Sequence, residues 1–164
     1  MEYLNKILLI IFLIFTSVNS NGQTDIPATI AEHYQTKKFN VAIFPESSRE
    51  LFQGANRFTP TKKEIETAEQ GLINQLAGIN TDRHNQYSSP AIDKNLSKYK
   101  RQYFGYFDMK GNKILFINCF WKKNKERLWF NERIMVLDGG SYFWNIKFNL
   151  NTNELFDLDV NGDL

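Results

Sequence analysis

The chain has little of the chemistry that many catalytic and metal sites use. Its 164 residues include one cysteine and two histidines, too few for a structural zinc site built from Cys and His ligands. The net charge of +2 gives no electrostatic argument for a nucleic-acid partner. No Gly-rich phosphate loop, His-Glu metal pattern or Gly-x-Ser-x-Gly elbow occurs in the sequence. We therefore expect no cofactor and no metal.

The single cysteine, Cys119, cannot form a disulfide within the chain. It lies in the apolar stretch 114–121, which predicts a buried and inert thiol. Catalysis is the alternative, and it would need a base close in space. The two histidines, His33 and His84, stand in polar stretches far away in sequence, which favours the inert thiol.

One long apolar run is present, near the beginning of the chain. Residues 1–6 carry one lysine, residues 7–15 are all apolar, and a polar stretch of small residues follows to Gly22. This layout is typical of a secretory signal peptide at 1–22, with cleavage after Ser20 or Gly22. The run is shorter than the ~20 residues that span a bilayer, which disfavours the alternative of an uncleaved anchor. No cysteine follows directly for lipid attachment, so we expect export to the periplasm or the medium.

The rest of the chain has the composition of one folded domain. Aromatic residues make up 15% of the sequence, which favours a β-rich core over disorder. Residues 23–38 are polar and weakly patterned, and we place a single domain at 39–164. Residues 79–98 are also polar, which predicts a long loop with a short turn near 93–97.

The clearest helix is predicted at 59–78. Thr59 can cap it, or Thr61 can do so with Glu64 completing a capping box. Gly71 weakens the interior by about 1 kcal/mol relative to alanine. One face repeats apolar residues at helical spacing: Ile65, Ala68, Leu72, Ile73 and Leu76.

Strand patterns lie on both sides of this helix. Residues 39–44 form the first predicted strand. Five later segments have strand character: 99–108, 113–121, 128–137, 141–149 and 154–160. In the last segment Phe156, Leu158 and Val160 alternate with Asp157 and Asp159, which predicts one apolar face. The alternative, the first half of a calcium-binding loop running to Asn161, fits the apolar residues less well.

The expected class is α+β, with one main helix packed on a curled four- to five-stranded antiparallel sheet. The order of strand, helix and four strands resembles the cystatin-like fold from Phe39 onward. Cystatin-type protease inhibitors carry a Gln-x-Val-x-Gly loop between the two strands that follow the helix. Residues 109–112 (Met-Lys-Gly-Asn) stand there instead, so the resemblance implies a fold and no inhibitory activity.

Two further stretches resemble small exported bacterial proteins of uncharacterised function. They are residues 58–61, at the predicted helix start, and residues 138–144, which lead to Asn161 and Gly162. The resemblance implies a self-contained exported domain and no activity.

Glu69 is the first candidate site residue. At ~100° per residue it falls inside the apolar arc of the helix, where a carboxylate is costly unless it is paired. We expect Arg101, Arg133 or a tyrosine hydroxyl to pair with it. A raised pKa would suit a general acid or base. A rim position or a structural ion pair is the alternative, and we favour it.

Exposed aromatic residues are the second group of candidates. Trp121 and Trp129 flank a basic stretch at 122–127, a combination that suits single-stranded nucleic acid or a glycan. The alternative, which we favour, is a solvated connection with both tryptophans in the core. Phe143, on the otherwise polar face of its strand, is a candidate surface contact.

Three functional hypotheses follow. The first is a non-catalytic exported domain that binds a protein or a small ligand, because a well-patterned core comes with no catalytic constellation. The second is a small periplasmic enzyme that uses a carboxylate such as Glu69 in a pocket between helix and sheet. The third is a protease inhibitor, by fold analogy alone. We expect neither a nucleic-acid partner nor a stable membrane anchor after cleavage.

Overall fold

The computed structural model describes residues 31–48, 56–122 and 129–162. These residues form an α+β fold in which one helix packs on a mostly antiparallel, mixed sheet of seven strands. The sheet is not strongly curled, in contrast to the curled sheet expected from the sequence. The elements in chain order are β1 (Glu32–Gln35), β2 (Asn40–Phe44), β3 (Arg57–Phe58), α1 (Lys62–Ile79), β4 (Tyr99–Phe107), β5 (Lys113–Trp121), β6 (Phe143–Asn149) and β7 (Glu154–Val160).

Helix α1 begins at Lys62 because Thr61 caps it. The Glu64 amide donates to Thr61 Oγ1 at 3.3 Å, and the Thr61 amide donates to Glu64 Oε2 at 2.9 Å. This capping box satisfies two amides that lack partners inside the helix. The second of the two predicted starts is therefore confirmed, and the start at Thr59 is wrong. The buried residues of α1 are Ile65, Ala68, Glu69, Gly71, Leu72 and Leu76.

The sheet has the strand order β1-β2-β4-β5-β6-β7, and β3 pairs with β4. Strand β2 runs parallel to β4, and the other pairs are antiparallel. A helix that crosses over between neighbouring strands returns the chain in the same direction, so the expectation of a wholly antiparallel sheet is wrong at this pair. Strands β1 and β3 bring the number to seven. The sequence signal for them is weak, because β1 is a mostly exposed edge strand and β3 has two residues.

Each face of the sheet carries its own apolar core. The face under α1 is packed with buried side chains that include Tyr103, Ile117 and Ile146. The opposite face, here called the outer face, has a second cluster built on Phe104 and Phe120. Residues 129–137 cover part of the outer face through Trp129 and Ile134. The molecule therefore has a third layer beyond helix and sheet.

That third layer replaces a predicted strand. The segment 128–137 was expected to join the sheet, but its described part, 129–137, contains no strand. The Gln102 side chain of β4 donates to Trp129 O at 2.8 Å and to Glu132 O at 2.7 Å, and it accepts from the Ile134 amide at 2.9 Å. The Asn118 side chain of β5 donates to Ile134 O at 2.8 Å. Side-chain amides thus satisfy the backbone groups that a neighbouring strand would otherwise bind.

Strand β7 contains a β-bulge that changes its predicted face. Asp157 has φ +50°, and the register with β6 shifts between Asn145 and Lys147. An extra residue in one strand reverses the alternation on either side of it. Leu155, Leu158 and Val160 consequently face the helix-side core. Phe156 lies opposite Lys147 on the outer face, so its predicted alignment with Leu158 and Val160 is wrong.

Gly71 in α1 is required by packing. A Cβ at this position would collide with the ring of Phe148, which is 1% exposed and packed in the helix-side core. Gly78, in the same helix, has open space around it. We expect Gly71→Ala to destabilise the fold by about 1–2 kcal/mol despite the better helix propensity of alanine.

Gly78→Ala is the matched control for this effect. It should stabilise the fold by about 0.5–1 kcal/mol, because alanine loses less conformational freedom than glycine in a helix. Urea unfolding of both variants measures the two signs. Equal stabilisation by both substitutions would contradict the close packing of α1 on Phe148.

Candidate functional site

Glu69 lies at the interface between α1 and the sheet, where it is 4% exposed. Tyr103 Oη donates a hydrogen bond to Glu69 Oε1 at 2.7 Å, and Arg101 Nη1 lies 3.4 Å from the same oxygen. Arg101 and Tyr103 are two residues apart on β4 and therefore point to the same face. The expected pairing of Glu69 with Arg101 and with a tyrosine hydroxyl is confirmed.

Arg133 takes no part in this cluster. Its guanidinium lies 4.7 Å from the ring centre of Phe116, which belongs to the outer-face core. The expectation that Arg133 could pair with Glu69 is therefore wrong, because the sheet separates the two side chains.

Arg101 is almost fully buried, with 1% of its surface exposed. Its Nη2 donates to Leu96 O at 2.8 Å. Within the described residues, Nε and Nη1 have no hydrogen-bond acceptor, although Nη1 is in ion-pair range of Glu69. Burial of a charge is costly, and a nearby opposite charge repays it only in part. The position of Arg101 thus depends strongly on Glu69.

Burial and charge act in opposite directions on the carboxyl of Glu69. Burial raises its pKa, while Arg101 and the hydrogen bond from Tyr103 lower it, and burial is the larger effect. Burial and the neighbouring Glu69 raise the pKa of Tyr103. Tyr103 therefore keeps its proton and remains a donor to Glu69 at neutral pH.

A cavity of about 370 Å³ lies beside Glu69. One wall is the turn at residues 36–39. The other wall belongs to α1 and consists of Glu66, Glu69, Gln70 and Ile73, a spacing that places side chains along one stripe of a helix. Among the described residues, both contacts to the Glu69 carboxylate end on Oε1. Oε2 is therefore the oxygen left to receive a donor.

The turn that forms the first wall is well defined by hydrogen bonds. Thr36 Oγ1 accepts from the amides of Lys38 at 3.1 Å and Phe39 at 3.2 Å. The Phe39 ring packs edge-to-face against Tyr34 at 5.4 Å between centres, and Tyr34 Oη donates to Glu66 Oε1 at 2.6 Å. The cavity is thus bordered by fixed backbone and by two carboxylates, with lysines 37 and 38 on the turn.

The two tryptophans of the predicted basic edge lie on opposite faces of the sheet. Trp121 packs edge-to-face on Tyr99 at 5.0 Å on the helix side of the sheet. Trp129 is 5% exposed and belongs to the outer-face core, with Lys100 Nζ 5.0 Å from its ring centre. The basic residues at 123–127 lie outside the described residues.

Phe143 is half-buried and packs against the outer-face core. It shares a second cavity, of about 480 Å³, with Arg133, Asn145 and Asp159. Two candidates from the sequence therefore meet there. Two polar groups of that cavity are engaged with each other, since Asn145 Nδ2 donates to Asp159 Oδ2 at 3.0 Å.

Two other sequence interpretations are settled by the contacts. Cys119 is 1% exposed in the helix-side core, and burial raises the pKa of its thiol, which confirms the expectation of a buried thiol. Asp157 lies in β7 and pairs with Lys147 of β6 at 2.9 Å, so the strand interpretation of this segment is confirmed. The described residues contain no group of three His, Cys, Asp or Glu side chains that could hold a metal ion.

Several buried polar side chains were not predicted from the sequence, and two of them lie in neighbouring strands of the sheet. Gln102 and Asn118 are 0% and 7% exposed and hold the third layer. The sequence signal is clearest for Asn118, a single amide among the bulky apolar residues of β5. Side-chain hydrogen bonds within the 79–98 loop also hold its conformation. Asn80 Nδ2 donates to Gln86 Oε1 at 3.1 Å and to Asp93 Oδ1 at 2.9 Å.

In comparisons with known proteins, the chain matches no protein-family model, no curated protein and no solved structure. In the part of the chain that the structure describes, no helix has the length and apolar character needed to cross a bilayer.

Proposed function

We propose that this domain binds a small molecule in the cavity beside Glu69 and does not transform it chemically. One observation carries the proposal: a buried carboxylate, held through one oxygen by Arg101 and Tyr103, forms part of the wall of a cavity. Buried charges are costly and are found where they are paired. A paired carboxylate in the wall of a cavity, with contacts on one oxygen only, is suited to recognising a hydrogen-bond donor.

An enzyme that uses Glu69 as a general base is the second candidate. The raised pKa of Glu69 favours it. The contacts favour binding instead, because Arg101 and Tyr103 already hold the carboxylate. The hydroxyl of Thr36, on the opposite wall, accepts hydrogen bonds from two backbone amides of its own turn. Turnover of a bound ligand, followed by NMR, distinguishes the two candidates.

We propose further that the domain acts after export, directed by residues 1–22, and that it resembles small exported bacterial proteins. Mass spectrometry of the protein recovered outside the cytoplasm would show loss of these residues; retention of Met1 would contradict the proposal.

The order β2-α1-β4-β5-β6-β7 follows the cystatin-like order. Strands β1 and β3 and the parallel β2–β4 pair depart from it, and a protease-inhibitor role rests on that analogy alone.

The binding proposal is tested by a small-molecule screen observed through protein amide NMR signals. We expect saturable hits to shift the amides of residues 36–39 and 66–73 together, and to compete with one another. Gln75 and Asn153 line a neighbouring groove that shares Glu66 and Gln70 with the cavity, so shifts at residues 36–39 distinguish the cavity from that groove. Saturable hits confined to that groove, or an absence of saturable hits up to millimolar concentration, would contradict the proposal.

A further inference from the structure

We infer that the ligand of the Glu69 cavity is a small zwitterion, with an ammonium and a carboxylate group on one apolar molecule. A free apolar amino acid and a short peptide both have this chemistry. The inference rests on the proposed function and names the ligand class for the same site. It follows from the charges and the apolar groups on the two walls.

The α1 wall is acidic and accepts hydrogen bonds. Glu66 and Glu69 stand one helical turn apart and both border the cavity. Oε1 of Glu69 is occupied by Tyr103 and Arg101, and Oε1 of Glu66 by Tyr34. An ionised carboxylate has only acceptor positions, so the ligand group that meets this wall must be a donor. Arg101 offsets one of the two negative charges, and an ammonium offsets the other.

The turn wall is basic. Lys37 and Lys38 are consecutive, exposed and both border the cavity. The Lys38 amide is fixed to Thr36 Oγ1, which holds the turn that carries both side chains. Ammonium groups on flexible stems bind a carboxylate as point charges. A ligand that spans the cavity therefore meets carboxylates on one side and cations on the other.

Apolar side chains and size restrict the ligand further. Phe39 and Ile73 border the cavity on opposite walls, and Ile73 is 54% exposed. Covering this isoleucine with an apolar body removes hydrocarbon from water. The volume of about 370 Å³ is near the lower end for ligand sites, which suits an amino acid or a dipeptide.

Calorimetry with four probes tests the inference: L-leucine, N-acetyl-L-leucine, L-leucinamide and the dipeptide leucyl-leucine. Acetylation removes the ammonium charge, and amidation removes the carboxylate. We expect leucine or leucyl-leucine to bind, and each blocked form of leucine to bind about tenfold more weakly or worse. The preference between leucine and the dipeptide identifies the source. Blocked probes that bind as tightly as leucine would overturn the inference.

Exposed variants locate each charge without disturbing the core. Glu66→Gln should weaken the binding of leucine by about threefold and leave the affinity for N-acetyl-leucine unchanged. Lys38→Gln should weaken the binding of leucine by a similar factor and leave the affinity for leucinamide unchanged. Glu154→Gln and Lys110→Gln are the matched controls, because those side chains border a different groove. An equal loss of affinity for all probes would overturn the assignment of the two walls. An equal loss of affinity in the control variants would overturn it as well.

Failure of this inference and failure of the proposed function give different results. If the screen finds saturable ligands at residues 36–39 and 66–73 but none of the four probes binds, the zwitterion inference fails and binding at this cavity stands. If no small molecule binds there at all, both fail.

Discussion

Arg101→Met is expected to destabilise the fold by about 3–5 kcal/mol, the largest effect of a single substitution near the cavity. Methionine has a similar length and fills the apolar space, so the loss comes from charge. The substitution leaves Glu69, 4% exposed, with Tyr103 as its remaining hydrogen-bond donor and with no cation at 3.4 Å. Urea unfolding at neutral pH measures the change in the free energy of unfolding.

The pH dependence of this loss has a definite sign. Burial already raises the pKa of Glu69 above the ordinary value of 4.5, and removing Arg101 raises it further. A folded state with the raised pKa binds more protons than the unfolded state, so stability falls as pH rises from about 4.5 through the raised pKa. The destabilisation by Arg101→Met should therefore be clearly larger at about pH 8 than at about pH 5. A loss that is equal at both pH values would contradict an uncompensated Glu69.

The double variant Glu69→Gln/Arg101→Met is the matched control. It removes both charges and keeps an amide that can accept from Tyr103, so part of the lost stability should return. The difference between pH 5 and pH 8 caused by residue 69 should also disappear. A double variant no more stable than Arg101→Met alone would show that packing, and not the charge pair, holds Arg101 in place.

Gln102→Leu is expected to destabilise the fold by about 3–5 kcal/mol, through the third layer. Leucine cannot bind Trp129 O, Glu132 O or the Ile134 amide, which Gln102 now satisfies. Each buried polar group left without a partner costs about 1–3 kcal/mol. The segment 129–137 can avoid these unpaired groups by detaching from the sheet. Detachment exposes the apolar side chains of Trp129 and Ile134, which destabilises the fold by a similar amount.

Hydrogen exchange locates the effect of Gln102→Leu. The Ile134 amide should exchange much faster in the variant, while amides of β4 and β5 that pair with each other keep their protection. Asn145→Leu is the matched control on the same face, because its amide bonds an exposed Asp159 and its loss should change stability by less than about 0.5 kcal/mol. Unchanged exchange at Ile134 would contradict the role of Gln102.

Local chemistry accounts for most of what the sequence predicts correctly. The capping box of Thr61 and Glu64 and the apolar stripe of α1 need neighbours within one or two helical turns. The hairpin of β4 and β5 follows from alternation around a glycine turn, at which Gly111 has φ +81°. The position of Glu69 follows from helical periodicity, and its need for a partner follows from burial.

The errors share a different origin. Residues 128–137 have strand composition, but Gln102 and Asn118, from two other strands, satisfy part of their backbone. The face of Phe156 depends on a bulge at Asp157 that no alternation pattern reveals. The direction of β2 relative to β4 depends on where the crossover helix returns the chain. Each of these depends on residues distant in sequence.

The sequence by itself determined that Glu69 lies within the apolar arc of a helix, where a carboxylate is costly unless it is paired, because helix geometry and the cost of a buried charge are local properties. It left open whether the side chain reaches solvent at the rim or pairs inside. Only the tertiary structure decided which partner and which surroundings it has. The pairing of β4 with its neighbours brings Arg101 and Tyr103 under α1 and leaves Arg133 on the other face. The turn at 36–39 borders the cavity, because contacts between residues distant in sequence, such as Tyr34 with Glu66, hold the β1–β2 hairpin beside α1.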